Sequence, residues 1–131
     1  VNKQQDTISF QEKYPTNKKP PEIVSVNDKS ELLSETYEYI NNVYTKNYGT
    51  LESEFLYPTD FEQSKKWFND FLENRFKEFG PYEDAIVDSE SFLNHSLLSP
   101  LLNTGLLDVS FVISQTIEFY KKNNIPLNSC E

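Results

Sequence analysis

The sequence predicts an all-α fold: an irregular, extended lead-in over residues 1–27, then helices over 28–131. Three observations carry that expectation. Apolar residues recur at spacings of three and four along three stretches, the repeat of a single helix face. A side chain suited to helix N-caps opens each of these stretches, with Glu three residues later in two of them. The β-branched residues Ile23, Val24 and Val26 are too few to make a strand.

Each element has its own grammar. In the lead-in, Pro15, Pro20 and Pro21 push the residues before them away from helical angles. The reading is a surface segment wrapped on a larger body. Asp28 and Glu31 form a capping box, and Leu33, Tyr37, Ile40, Tyr44 and Tyr48 make the stripe behind it, flanked by Leu32, Thr36 and Val43. Asn47 and Gly49 supply the stop. Tyr37, Tyr39, Tyr44 and Tyr48 could form a stacking platform, but tyrosines at helical spacing read better as core residues with hydroxyls at the rim. The loop over 49–58 carries Phe55, Leu56 and Tyr57, which should tuck back onto the body. Thr59 and Glu62 form a second box ahead of Phe61, Lys65, Phe68, Leu72, Arg75, Phe76 and Phe79, with Trp67 and Phe71 widening the apolar face. Gly80-Pro81 should end that helix, because Gly accepts the left-handed position and Pro cannot continue. Residues 80–95 read as a turn and a loop. A short buried helix comes next over 96–105, with Pro100 in its first turn and Gly105 as its stop. Asp108 caps the last long helix, striped by Val109, Val112, Ile113, Thr116, Ile117 and Tyr120, with Lys121 and Lys122 in the last turn where cations suit the dipole. Pro126 breaks it. Asn128 and Glu131 then have the form of a further capping box, and a helix start at the end of the chain, together with the absence of Met, reads as a piece of a longer protein.

Composition narrows the function classes. The chain has 131 residues, within the range of one domain, and its aromatic share of 15% is too high for a disordered acidic segment. Twelve basic against 21 acidic residues give a net charge of −9. Residues 1–27 carry +1 and the remainder −10, so the helical body repels nucleic-acid backbones and any DNA contact needs basic surface from elsewhere. The single cysteine, Cys130, cannot build a disulfide or a cysteine metal cluster within the chain. No transmembrane run and no signal-peptide pattern occurs, which makes the cytoplasm the expected location.

Few groups suit catalysis. His95 is the only histidine, G-x-S-x-G is absent, and there is neither a metal-ligand spacing nor a glycine-rich phosphate loop. Glu83, Asp84, Asp88 and Glu90 lack the EF-hand pattern and read as a solvated acidic loop. The suggestive constellation is His95, Ser96 and Ser99 around the start of the short helix. Hydroxyls and free N–H groups at a helix start can receive an anion such as a diphosphate; the simpler reading is that Ser96 only caps the helix.

The same segment carries a resemblance. F-G-P-Y-E-D-A at 79–85, H-S-L-L-S-P-L-L-N-T-G-L-L at 95–107 and P-L-N-S-C-E at 126–131 resemble blocks of the deoxyribodipyrimidine photolyase-related proteins, the iron–sulfur bacterial branch of the cryptochrome/photolyase superfamily. The blocks stand in the family's order over the last two fifths of the chain; the helical stretch from residue 28 is compatible without a sharp motif. The resemblance implies the first helices of a photolyase-type FAD-binding domain. It places His95, Ser96, Leu98 and Ser99 at a block that holds the FAD diphosphate, and Tyr82 near a tyrosine close to the flavin nucleotide. His95 stands where more distant photolyases have Thr, a departure shared with this branch. The family's iron–sulfur ligands, catalytic histidine and DNA groove lie outside these blocks, and Cys130 sits at a variable position. The resemblance thus implies an FAD-binding fragment without activity of its own. Its partners would be FAD and the remainder of the same polypeptide, with DNA reached only through the full-length protein. The rival from another class is an acidic helical protein–protein interaction module. Either way, exposed Phe and Tyr, or a dimer hiding them, are expected.

Overall fold

A computed structural model of the chain describes residues 13–23, 31–49, 51 and 55–131. Val24, Val26 and the Asp28 cap lie outside these residues. Among the described residues the regular structure is helical: α1 (Glu31–Val43), α2 (Phe61–Asn74), α3 (Phe76–Tyr82), α4 (Ser99–Asn103), α5 (Val109–Lys122) and α6 (Leu127–Cys130). An isolated antiparallel bridge joins Val87 and Glu90. No helix among the described residues is long and apolar enough to cross a membrane.

The core is built on α2. Trp67, Phe68, Phe71 and Leu72 are buried along one face and meet Phe76 of α3, Leu98, Leu101 of α4 and Leu107. Aromatic edges tie the elements together: Phe68 meets Phe111 of α5 at 6.0 Å, and Phe76 meets Phe119 at 6.2 Å. Leu56 and Tyr57 do tuck back onto this core, Tyr57 lying 5.5 Å from Trp67.

Several local expectations change. The cap of α2 is Asp60, whose carboxylate accepts from the Gln63 N–H at 2.8 Å, so Thr59 is one residue too early. The stretch expected as one helix breaks at Arg75, where φ is −124°, and the Arg75 side chain turns inward to 1% exposure. Gly80-Pro81 does not end the helix: α3 runs through both to Tyr82. A tertiary contact explains this. Pro81 has no N–H for the Lys77 carbonyl, and the Ser129 hydroxyl, arriving from α6, donates to that carbonyl at 3.3 Å. The Gly80 N–H in turn donates to Ser129 Oγ at 2.9 Å.

Ser129 is therefore buried on α3, and Asn128 lies inside α6, which starts at Leu127 behind Pro126 without a side-chain cap. The capping box expected at Asn128 is replaced by this docking. Along α5 the Asp108 cap forms as expected, accepting from the Phe111 N–H at 3.0 Å. Its expected stripe splits: Val112 and Tyr120 pack on the core beside Phe111 and Phe119, while Val109, Ile113 and Ile117 face outward. A helix offers the core one face, and on α5 that face carries Phe111, Val112, Phe119 and Tyr120. Helix α1 ends at Val43, earlier than expected, and buries none of its residues, so its tyrosines are not core.

Candidate functional site

The predicted site residues fall on the segment joining α3 to α4 and on its two ends. After α3 the chain turns tightly, with the Ala85 N–H on the Tyr82 carbonyl at 3.1 Å and the His95 N–H on the Phe92 carbonyl at 3.0 Å. Leu93 and Leu97 flank His95 and Ser96 in the left-handed region, at φ 45° and 56°. A bulky side chain held there costs on the order of 1–2 kcal/mol per residue. Burial of Leu93 and Leu98 opposes that cost and pins the segment from both sides. The strain is thus localised on the residues that bracket His95 and Ser96.

The five residues sit in different surroundings. His95, half-buried, lines a depression of about 220 Å³ with Ala85, Ile86, Val87, Glu90, Ser91 and Leu93. Ser96 is half-buried, and Ser99 is exposed at the first position of α4. Among the described residues no hydrogen bond engages the side chains of His95, Ser96 or Ser99. Helix α4 has only five residues and begins at Ser99, so Ser96 precedes the helix and does not cap it. Leu98 is spent on the core. Tyr82 is buried at the end of α3 and is not among the residues lining the His95 depression.

Residues of the lead-in cover Tyr82. The Tyr14 ring meets it edge-on at 4.9 Å, and Lys18 Nζ sits 4.9 Å from its centroid. Lys18 also donates to Glu78, whose other carboxylate oxygen accepts from Asn94 at 3.5 Å. Burial opposes the charge on Lys18, but the hydrogen bond and charge of Glu78 outweigh it and hold the ammonium above its ordinary range. Burial pushes the Tyr14 phenol up, against the pull of Lys18. Nothing local in the sequence marks the Tyr14–Tyr82 and Lys18–Glu78 contacts, because each joins residues 60 or more apart.

Acidic side chains do not gather into an ion site: among the described residues no three of His, Cys, Asp or Glu are grouped to hold a metal. Cys130 is a free, half-buried thiol on α6.

The chain is 29% identical over 100 residues to a (6-4) photolyase of Agrobacterium fabrum, an alignment covering 76% of this chain and 20% of that protein. It is also 44% identical over 46 residues to an uncharacterized protein of Acanthamoeba polyphaga mimivirus, covering 35% of this chain and 36% of the viral one. The matched stretches therefore span about a fifth of the photolyase and about a third of the viral protein. No protein-family model matches the chain. An alignment of 100 residues is longer than the last two fifths on which the motif resemblance rests, so the similarity extends upstream of those blocks.

Proposed function

We propose that the chain forms one wall of the FAD site of a photolyase/cryptochrome-like flavoprotein, with the remainder of a longer polypeptide supplying the rest. The observation that carries this reading is the similarity to a (6-4) photolyase over three quarters of the chain. The residues present suit part of the cofactor. Ser96 and Ser99 have unengaged hydroxyls to donate to a diphosphate, and the left-handed turn at Leu97 separates them. His95 stands beside them with its imidazole available. Leu98 contributes by anchoring the segment in the core. Tyr82 contributes only if Tyr14 and Lys18 leave its ring.

Bound FAD supplies light-driven electron transfer, which in the full-length protein would serve repair of ultraviolet-damaged DNA. The acidic body described here is not the DNA-facing surface, and an iron–sulfur cluster would draw on cysteines outside this sequence. One wall offers few of the contacts needed to offset the cost of immobilising so large a ligand, so the chain alone should bind FAD weakly and catalyse nothing. Titrating FAD into the chain, followed by flavin fluorescence polarisation, tests this. Weak binding lost in the Ser96→Asp and Ser99→Asp variants is expected. Sub-micromolar retention would refute the partial wall, and equal binding by those variants would refute the diphosphate assignment.

A further inference from the structure

We infer that residues 14–18 of the lead-in are a lid latched over Tyr82, and that it lifts while α2–α6 stay folded. The role of the lid toward a ligand rests on the FAD reading above; the lifting itself does not. Two side chains hold the lid down. The Tyr14 ring lies edge-on to Tyr82 at 4.9 Å, and the Lys18 ammonium reaches Glu78 of α3 while sitting over the Tyr82 ring. Among the described residues, no backbone hydrogen bond ties 13–23 to the helices. The Lys18 N–H donates within the lid itself, to the Pro15 carbonyl at 3.0 Å. Pro15, Pro20 and Pro21 have no N–H to pair, and their fixed φ keeps the segment stiff whether or not it is seated. Lifting the lid therefore breaks side-chain contacts and leaves the backbone bonds of every helix intact.

The ground beside the lid is hollow. Lys19 and Pro20 line a cavity of about 440 Å³ with Tyr14, Ile86 and Glu90, and a second of about 610 Å³ with Leu56 and Phe92. The lead-in is thus not sealed along its length to the loop that follows α3. Closure also has a cost, because Tyr14 Oη is buried without a hydrogen-bond partner and lifting returns it to water. The Lys18–Glu78 pair opposes that cost, and both of its side chains are partly exposed, so salt weakens it. Closed, the lid gives Tyr82 a ring partner from its own chain in place of a ligand's ring. Apparent ligand affinity then scales with the fraction of molecules whose lid is open.

Hydroxyl-radical footprinting of the full chain, read at Tyr82 by mass spectrometry, tests this. Glu78→Gln removes the charge that holds Lys18 and leaves every lid residue in place. It should raise Tyr82 labelling about two- to fivefold, and high salt should do the same in the parent chain but not in the variant. Labelling of Tyr120 on α5 and the emission of the buried Trp67 should stay unchanged, as both report whether the core is folded. Tyr14→Ala should tighten FAD binding by about two- to tenfold. Tyr82 labelling indifferent to both Glu78→Gln and salt, or rising only together with that of Tyr120, overturns the lid. FAD bound no tighter by Tyr14→Ala than by the parent chain overturns its masking of Tyr82. Responsive labelling with no FAD binding by any variant supports the lid and refutes the flavin reading instead.

Discussion

Replacing Gly80 by Ala separates the tertiary account of α3 from its helix propensity, because the two predict opposite signs. Inside a helix, Gly→Ala ordinarily stabilises by about 1 kcal/mol. Here a Cβ on residue 80 would stand 2.3 Å from the Asn128 carbonyl oxygen and 2.6 Å from the Ser129 nitrogen. Both are backbone atoms, so α6 must retreat by about 1 Å to reach ordinary contact. That retreat stretches the 2.9 Å bond from the Gly80 N–H to Ser129 Oγ and the 3.3 Å bond from that hydroxyl to the Lys77 carbonyl beyond useful length. Two hydrogen bonds at about 1 kcal/mol each, plus lost packing and less the propensity gain, leave a net destabilisation of roughly 1–3 kcal/mol. Thermal unfolding followed by far-ultraviolet circular dichroism should show Tm lowered by roughly 4–12 °C. An unchanged or raised Tm would mean that α6 does not sit on Gly80, and the reasoning fails.

Other substitutions probe the remaining contacts. Ser129→Ala keeps the backbone approach but leaves the Lys77 carbonyl and Gly80 N–H without the hydroxyl, and should cost about 1–2 kcal/mol in denaturant unfolding. Asp60→Ala should cost about 1 kcal/mol and Thr59→Ala close to nothing; the reverse order in the same assay would reassign the cap of α2. Arg75 is fully enclosed, and burial draws its guanidinium below its ordinary pKa, against the pull of Asp70. Its Nη1 lies 3.1 Å from Asp70 Oδ2 without hydrogen-bond alignment, and Nε and Nη2 have no protein partner among the described residues. Arg75→Met should therefore be neutral or stabilising, whereas Asp70→Asn should destabilise by about 1–3 kcal/mol; equal losses in chemical denaturation would contradict this. Lys18 is raised in the folded state, so its contribution is fully present below its unfolded pKa and is lost as pH climbs through the raised value, above 10.5. A pH series of unfolding free energies should show that alkaline loss in the parent chain and a smaller one in Lys18→Met, with at most about 1 kcal/mol between them at neutral pH.

Helices were legible wherever a local rule was strong. The Asp108 cap, Pro100 in the first turn of α4 and Gly105 at φ 76° depend on neighbours within a few residues, and all form as the sequence suggests. The apolar face of α2 was equally plain, since large side chains repeat along one stripe. Errors arose where two local rules competed. Thr59 and Asp60 are adjacent cap residues, and only the backbone direction into α2 chooses between them. Val109, Ile113 and Ile117 kept perfect helical spacing, yet the neighbouring face with Phe111, Val112, Phe119 and Tyr120 is the one that meets the core. In the candidate site, His95, Ser96 and Ser99 stand out in the sequence by their chemistry alone. The left-handed turns at Leu93 and Leu97 that bracket them were invisible, because nothing about leucine announces φ above zero.

Composition and near-neighbour patterning already make this chain helical, acidic and rich in aromatic side chains, and they mark the block that resembles a flavin-diphosphate segment. Those properties are sums over near neighbours or over composition. That Gly80-Pro81 lies within a helix, that Tyr82 is covered by Tyr14 and Lys18, and that α1 leaves its apolar face unburied emerge only once the elements are packed. Each turns on groups far apart in sequence. A proline can sit inside a helix when a distant hydroxyl takes the carbonyl it orphans, and a stripe becomes core only when another surface arrives to meet it.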